Sequence, residues 1–349
     1  MANKTSTSKY HFKNLVFEGG GVKGIAYVGA LEVLNDKGIL KNIERVAGTS
    51  AGAMVAVLVG LNYSAAEIGD ILWKINFKNF LDDSFGTVRD INRLINEYGW
   101  YKGDFFRNLM ADFIKDKTGN GEATFRDLAK AKKYRDIYLI GADLSTGFSE
   151  VFCYAKTPDV KVADAARISM SIPLFFRAVN GTNGNGHIYV DGGLLDNYPV
   201  KVFDNVSYVA DKQNIRRTEY YDKTNKSLSK KLDKIDEYIY NKETLGFRLD
   251  SKEEIDKFLQ PDMLMPVKND IKTLFSYTKA LVTTLIDFQN NVHLHSDDWQ
   301  RTIYIDTLGV GSTDFSISDS KKKLLVKSGS DCTKDYFKWY DNDEEKANK

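Results

Sequence analysis

The sequence predicts an α/β fold with a mostly parallel central sheet, and three observations carry that expectation. The apolar run Leu15-Val16-Phe17 breaks into Gly19-Gly20-Gly21-Val22-Lys23-Gly24, after which Ile25, Val28, Leu31 and Leu34 recur at helical spacing. A second run, Val46-Ala47, breaks into Gly48-Thr49-Ser50-Ala51-Gly52 and continues as small and apolar residues up to Gly60. Two further short runs, Ile137-Tyr138-Leu139-Ile140 and Ile188-Tyr189-Val190, end in Asp143 and Asp191, residues suited to the turns that close strands.

The first two elements repeat strand, glycine turn and helix, which makes a βαβα unit. A right-handed crossover lays its strands side by side or nearly so, with both helix N-termini at one edge of the sheet. The glycine loop and Ser50 are therefore expected to be neighbours. Gly38 stops the first helix. Residues 62–131 read as helical, with breaks near Gly86 and Gly99, and the aromatics of residues 98–106 suit either core packing or an apolar rim. Ser149 to Tyr154 reads as a strand, residues 162–171 as a helix that ends before Pro173, and residues 180–186 as a loop. Of residues 211–260, twenty-three are charged, twelve basic and eleven acidic, a balance expected of a solvated helical insertion and not of a nucleic-acid surface. Residues 271–286 carry an amphipathic stripe, expected to pack on the domain. Residues 301–305 read as a late strand, and the last forty residues as one or two short helices with a frayed tail. The expected organisation is a flexible polar leader (1–13), a catalytic core (14–206), a charged helical insertion (207–260), and C-terminal helices with a late strand packed on the core (261–349).

A chain of 349 residues has ample length for a large core. A net charge of +1 supplies no field for nucleic acid, and two cysteines fit a reducing compartment. Four histidines with no Cys/His cluster argue against a metal, and no cofactor is expected. No apolar run approaches the roughly 20 residues of a membrane span, and the polar start has no secretory pattern. A cytoplasmic protein is the expectation, with export by a route that reads other signals left open.

Gly19-x-Gly21-x-x-Gly24 satisfies a dinucleotide-binding pattern, but that reading needs an acid ending the second strand, where the serine turn stands instead. A phosphate loop of the G-x-x-x-x-G-K-[ST] type also fails, since Lys23 is followed by glycine. Consecutive glycines at a helix start can instead gather backbone N–H groups around a developing anion. A glycine two residues either side of Ser50 suits a strained strand-to-helix turn that exposes a nucleophile. Its base is less obvious. His11 lies in the polar leader, His293 and His295 follow a helix without a turn to aim them, and His187 sits at the entry end of its strand. Asp191, ending a strand before Gly192-Gly193, can approach the serine directly. A carboxylate of ordinary pKa is a weak base, so burial or strong oxyanion stabilisation is needed.

These blocks resemble the patatin-like phospholipase family. Residues 19–24 match its G-G-G-x-[KR]-G loop, residues 48–52 its nucleophile motif, and Asp191-Gly192-Gly193 its D-G-[GA] block, in the family's order. Residues 166–173 and Asp196-Asn197-Tyr198-Pro199 are similar to the segments flanking the third block, and residues 307–315 are similar to bacterial members. The resemblance is close over residues 14–206. It implies a three-layer αβα fold and a lipid acyl hydrolase of phospholipase A or lysophospholipase type. Ser50 would be the nucleophile, Asp191 the base, and the loop Gly19, Gly20, Gly21, Val22, Lys23, Gly24 the oxyanion hole, with N–H groups from Gly20 to Val22. Gly48 and Gly52 would shape the elbow and Gly192 and Gly193 the base loop; Lys23 would help fix the glycine loop. The implied partners are a membrane phospholipid substrate and peripheral membrane contact, with room for a protein activator and no nucleic acid. The alternatives are a carboxylesterase or acyltransferase on soluble esters, and a lipid-binding regulatory module.

Overall fold

The computed structural model describes residues 9–81, 94, 96–181, 186–230, 236–252, 271–273, 276–277, 280–281, 284–285, 297–342 and 348. The strands in chain order are β1 (Asn14–Phe17), β2 (Arg45–Gly48), β3 (Gly99–Tyr101), β4 (Asp136–Asp143), β5 (Phe148–Phe152), β6 (Leu174–Phe176), β7 (Val179–Asn180), β8 (Ile188–Asp191), β9 (Ile215–Arg216), β10 (Tyr240–Asn241), β11 (Thr244–Asp250) and β12 (Thr302–Asp306). Eight of them form one sheet in the order β12-β11-β1-β2-β4-β8-β7, with β5 also on β4. From β12 to β4 every pairing is parallel; β5 and β8 meet β4, and β7 meets β8, in antiparallel fashion. The sheet is mostly parallel, as expected.

Alternation along the strands divides the core. Leu15, Phe17, Val46, Ile137 and Leu139 enter the large core with α1 (Tyr27–Asp36), α2 (Ala51–Gly60) and the helices Val162–Ser169 and Asp319–Asn342. Val16, Ala47 and Tyr138 face the other way, into a smaller core closed by Tyr198, Val200 and Phe203. α2 is buried at every position, so it has no polar face for periodicity to report.

Three expectations are corrected. The charged insertion contains a central strand: β11 pairs with β1 and is buried along its whole length. Its charges are internal, with Arg248 on Asp250 at 2.6 Å and 3.8 Å from Glu18, which hides a core strand behind a solvated composition. The last forty residues hold one 24-residue helix, Asp319–Asn342. Gly329 marks where this helix crosses α1: a Cβ there would lie 1.9 Å from the Ala26 carbonyl oxygen. The described end of the leader packs on the fold, with Tyr10 and Phe12 buried against Phe337 and Tyr340. Gly86 and seven of the sixteen residues of the amphipathic stretch 271–286 lie outside the described residues.

Candidate active site

The sheet register brings two sequence motifs face to face. Leu139 pairs with both Gly48 of β2 and Phe152 of β5, and Gly141 pairs with both Glu150 of β5 and Asp191 of β8. A residue has only two lateral neighbours, so β2 and β8 share the edge of β4 opposite β5. They run toward each other along it. β2 ends opposite Leu139 and β8 ends opposite Gly141, and two residues past Gly48 the chain reaches Ser50. The antiparallel β8 thus delivers Asp191 to the level of Ser50.

Ser50 adopts φ 54° and ψ −124°, a strained conformation for a side chain other than glycine. The flanking glycines permit it by close approach: a Cβ on Gly48 would lie 2.2 Å from the Gly52 carbonyl oxygen, and one on Gly52 2.2 Å from that of Phe17. The Ser50 N–H donates to Ser169 Oγ at 3.0 Å, and the Asp191 N–H donates to the Ser171 carbonyl at 2.8 Å. One short segment at the end of the Val162–Ser169 helix therefore holds both residues. Between them, Met170 Sδ lies 3.6 Å from Ser50 Oγ.

Both side chains are buried, Ser50 5% and Asp191 3% exposed. Burial pushes the Asp191 carboxyl up to about 7, against the stabilising pull of the Gly193 N–H and the nearby Ser50 hydroxyl. Oδ1 accepts the Gly193 N–H at 2.7 Å, while Oδ2 makes no well-formed hydrogen bond. The Ser50 hydroxyl is thus close enough to bias Asp191 but is not aligned on it, a looseness common in unliganded catalytic pairs. A Gly193 side chain would crowd Asp191 Oδ1 at 3.1 Å, and a Gly192 side chain would meet the Ile140 carbonyl oxygen at 2.4 Å.

The glycine loop follows β1, which pairs with β2 so that Phe17 stands beside Gly48. A Cβ on Gly19 would lie 3.0 Å from Ser50 Cβ, so the loop is packed directly on the serine. Its N–H groups are not equivalent. That of Gly19 donates to the Asn197 carbonyl, that of Val22 to Ser312 and that of Lys23 to Gly20, each at 3.1 Å. The N–H groups of Gly20 and Gly21 have no acceptor among the described residues. The loop's available donors are thus narrower than residues 20–22. Gly21 has φ +56°, and a Cβ there would lie 1.9 Å from the Ser312 carbonyl oxygen. Lys23 Nζ donates to the Leu249 carbonyl at 3.0 Å, tying the loop to β11. Gly24 lets the loop's helical turn approach α2, since a Cβ there would lie 3.2 Å from Ala51 Cβ.

Sequence reasoning singled out the segments that hold Asn197, Ser169 and Ser312 without giving these residues a role, and it missed the Glu18–Arg248–Asp250 cluster beneath the loop. Glu18 Oε2 accepts the Leu249 N–H at 2.6 Å, and burial raises its proton affinity against the pull of Arg248. These contacts join residues far apart in the chain, so no local pattern announces them. The histidines are placed elsewhere. His187 Nδ1 lies 2.7 Å from Asp143 Oδ2, and His11 Nε2 lies 2.9 Å from the Lys242 carbonyl oxygen. His293 and His295 lie outside the described residues. Among the described residues, no group of three His, Cys, Asp or Glu side chains could hold a metal ion, and no helix is long and apolar enough to cross a membrane.

Comparison with known proteins places this geometry in context. A family model described as patatin-like phospholipase matches residues 15–204. Among curated proteins, the uncharacterized protein YqhO of Bacillus subtilis is 29% identical over 334 residues, 93% of this chain and 97% of that protein. The probable lipid hydrolase 463L of Invertebrate iridescent virus 6 is 24% identical over 192 residues, 55% of this chain and 63% of its own length. Among solved structures, VipD from Legionella pneumophila superposes with a TM-score of 0.61 at 17% identity, over 95% of this chain and 67% of that one, a likeness of fold.

Proposed function

The chain belongs to the patatin-like phospholipase family, and on that premise we propose that it is a lipid acyl hydrolase of phospholipase A or lysophospholipase type, working through a Ser50–Asp191 dyad. The observation that carries the reading is a single juxtaposition. Strained Ser50 stands beside a buried carboxylate whose Oδ2, and against a glycine loop two of whose N–H groups, have no partner among the described residues.

Ser50 Oγ attacks the acyl carbonyl carbon as its proton passes to Asp191 Oδ2. The carbonyl oxygen becomes an oxyanion and takes hydrogen bonds from the Gly20 and Gly21 N–H groups; one such donor typically contributes about 3 kcal/mol to the transition state. The tetrahedral intermediate collapses, the C–O bond to the alcohol or lysolipid breaks, and Asp191 returns the proton to the departing oxygen. Water then attacks the acyl-enzyme with Asp191 as base, releasing the fatty acid and restoring Ser50. A carboxyl with a pKa of about 7 suits this work better than an ordinary aspartate, because its proton affinity is closer to what the hydroxyl's proton needs.

Peripheral membrane contact belongs to the same reading. Leu144 and Phe148, 50% and 73% exposed, flank the turn of the β4–β5 hairpin. Leu144 lies three residues past Gly141, the level of the dyad, so at about 3.3 Å per residue the turn stands roughly 10 Å beyond it at the same end of the sheet. The proposal is tested with phospholipid vesicles, lysophospholipid micelles and a short-chain soluble ester. Hydrolysis is expected with the wild type and not with Ser50→Ala or Asp191→Asn. Unchanged turnover in either variant overturns the dyad, and turnover confined to the soluble ester favours a carboxylesterase.

A further inference from the structure

We infer that Asn197 is a positioning residue that sets the direction of the Gly20 N–H, the first donor of the oxyanion hole; the inference rests on the acyl-hydrolase reading above. Asn197 is 4% exposed and holds both faces of the Gly19 peptide framework. Its carbonyl oxygen accepts the Gly19 N–H at 3.1 Å, and its Nδ2 donates to the Gly19 carbonyl at 3.3 Å. The described peptide bonds are all trans. In a trans peptide the C=O and the following N–H point in opposite directions. Turning the Gly19 carbonyl onto Asn197 therefore turns the Gly20 N–H away from Asn197, to the side where no acceptor among the described residues meets it.

Two further contacts make this an anchored setting. Asn197 Nδ2 also reaches Glu18 Oε1 at 3.2 Å, so the amide's donors are shared between the last residue before the loop and its first carbonyl. Asn197 Oδ1 occupies the space that side chains would need on Gly19 (2.3 Å) and on Gly193 (2.8 Å). One amide thus touches the oxyanion loop and the turn that aims Asp191. Its neighbours in the chain are fixed independently. The Asp196 carbonyl accepts Thr49 Oγ1 at 3.0 Å, and the Tyr198 hydroxyl lies 2.7 Å from Thr302 Oγ1. Asn197 is held on both sides while its side chain grips the loop.

The test compares Asn197→Ala and Asn197→Ser with the wild type on a short-chain soluble ester, with a trifluoromethyl ketone as a mimic of the tetrahedral oxyanion. A misaimed donor is expected to lower kcat on the order of 10–100-fold while KM stays within about threefold. Affinity for the ketone is expected to fall in parallel with kcat, because both depend on the oxyanion. Unchanged kcat, or a rise in KM with ketone affinity retained, overturns the inference. If the alanine variant does not fold, the serine variant is read the same way; failure of both to fold overturns the inference by assigning Asn197 to stability. Ser50→Ala run alongside separates the two levels. If it is inactive while the Asn197 variants are fully active, only this inference falls; if it remains active, the underlying reading and the inference fall together.

Discussion

Asp191 costs the protein stability in the same state in which it is useful. Its carboxyl binds a proton more tightly in the folded chain, with a pKa of about 7, than in the unfolded chain, near 3.9. A raised folded pKa means that the folded state gains from protonation. The contribution of Asp191 to stability is therefore fully present below about pH 4, is lost as pH rises through the window from about 4 to 7, and is constant above it. On the proposed mechanism activity runs the opposite way, because Asp191 must be ionised to act as the base. We expect kcat/KM to rise with pH through about 7 and to reach a plateau, as read from a pH–rate profile on a soluble ester. Asp191→Asn should abolish turnover and raise the melting temperature at pH 8, where the buried charge is fully formed, with little gain at pH 4. Thermal unfolding at the two pH values checks this, and equal shifts at both would remove burial of the charge as the cause. Ser50 adds a second cost through its positive φ, a strain of order 1–3 kcal/mol held in place by the crowded glycines 48 and 52.

At the scale of elements, the crossing of α1 with the helix Asp319–Asn342 depends on two reciprocal glycines. A Cβ on Gly29 would lie 1.9 Å from the Val326 carbonyl oxygen, and one on Gly329 1.9 Å from that of Ala26. Alanine is the better helix former by about 1 kcal/mol. Backbone oxygens cannot give way as a side chain tip can, so the helices must part, and overpacking of this kind costs about 1–3 kcal/mol or more. Gly329→Ala is therefore expected to lower the urea midpoint, and an increase would show that the crossing tolerates separation. The β4–β5 hairpin carries a functional prediction. Phe148→Ser and Leu144→Ser should weaken co-sedimentation with phospholipid vesicles while leaving soluble-ester turnover intact, since neither side chain belongs to the dyad or the glycine loop. Unaltered vesicle binding would place membrane contact on another surface. These elements also mark what could be read in advance. Strand, glycine turn and helix were legible at β1 and β2 because tight turns demand particular residue types locally. The turns that carry Ser50, Asp191 and the glycine loop were legible for the same reason. β11 was not, because Arg248 and Asp250 are charged yet buried together, and the length of the C-terminal helix was not, because Gly329, a poor helix former, is kept by its crossing with α1. Asn197 and Ser312 act through contacts that only the register of the sheet creates.

For the whole molecule, the family match ends at residue 204, but the fold does not. β1 lies between β2 and β11, and β11 is flanked by β12, both contributed from beyond that boundary. The later residues also complete the loop: Leu249 receives Lys23 Nζ, and Ser312 receives the Val22 N–H. Phe247 stacks on Phe17 with ring centroids 5.3 Å apart. Leu245, Phe247, Leu249, Ile303 and Ile305 are each almost wholly buried. At about 1.5–3 kcal/mol for each such side chain, their loss is on the scale of a domain's entire net stability, about 5–15 kcal/mol. Residues 9–206 alone would also leave β1 with an open, apolar edge, a template for aggregation. We therefore expect that fragment to be insoluble or to lack fixed tertiary packing, with no near-ultraviolet circular dichroism and no labelling of Ser50 by a fluorophosphonate, while the full chain shows both. A soluble fragment 9–206 that unfolds cooperatively and labels at Ser50 would show instead that the matched segment is an autonomous catalytic domain.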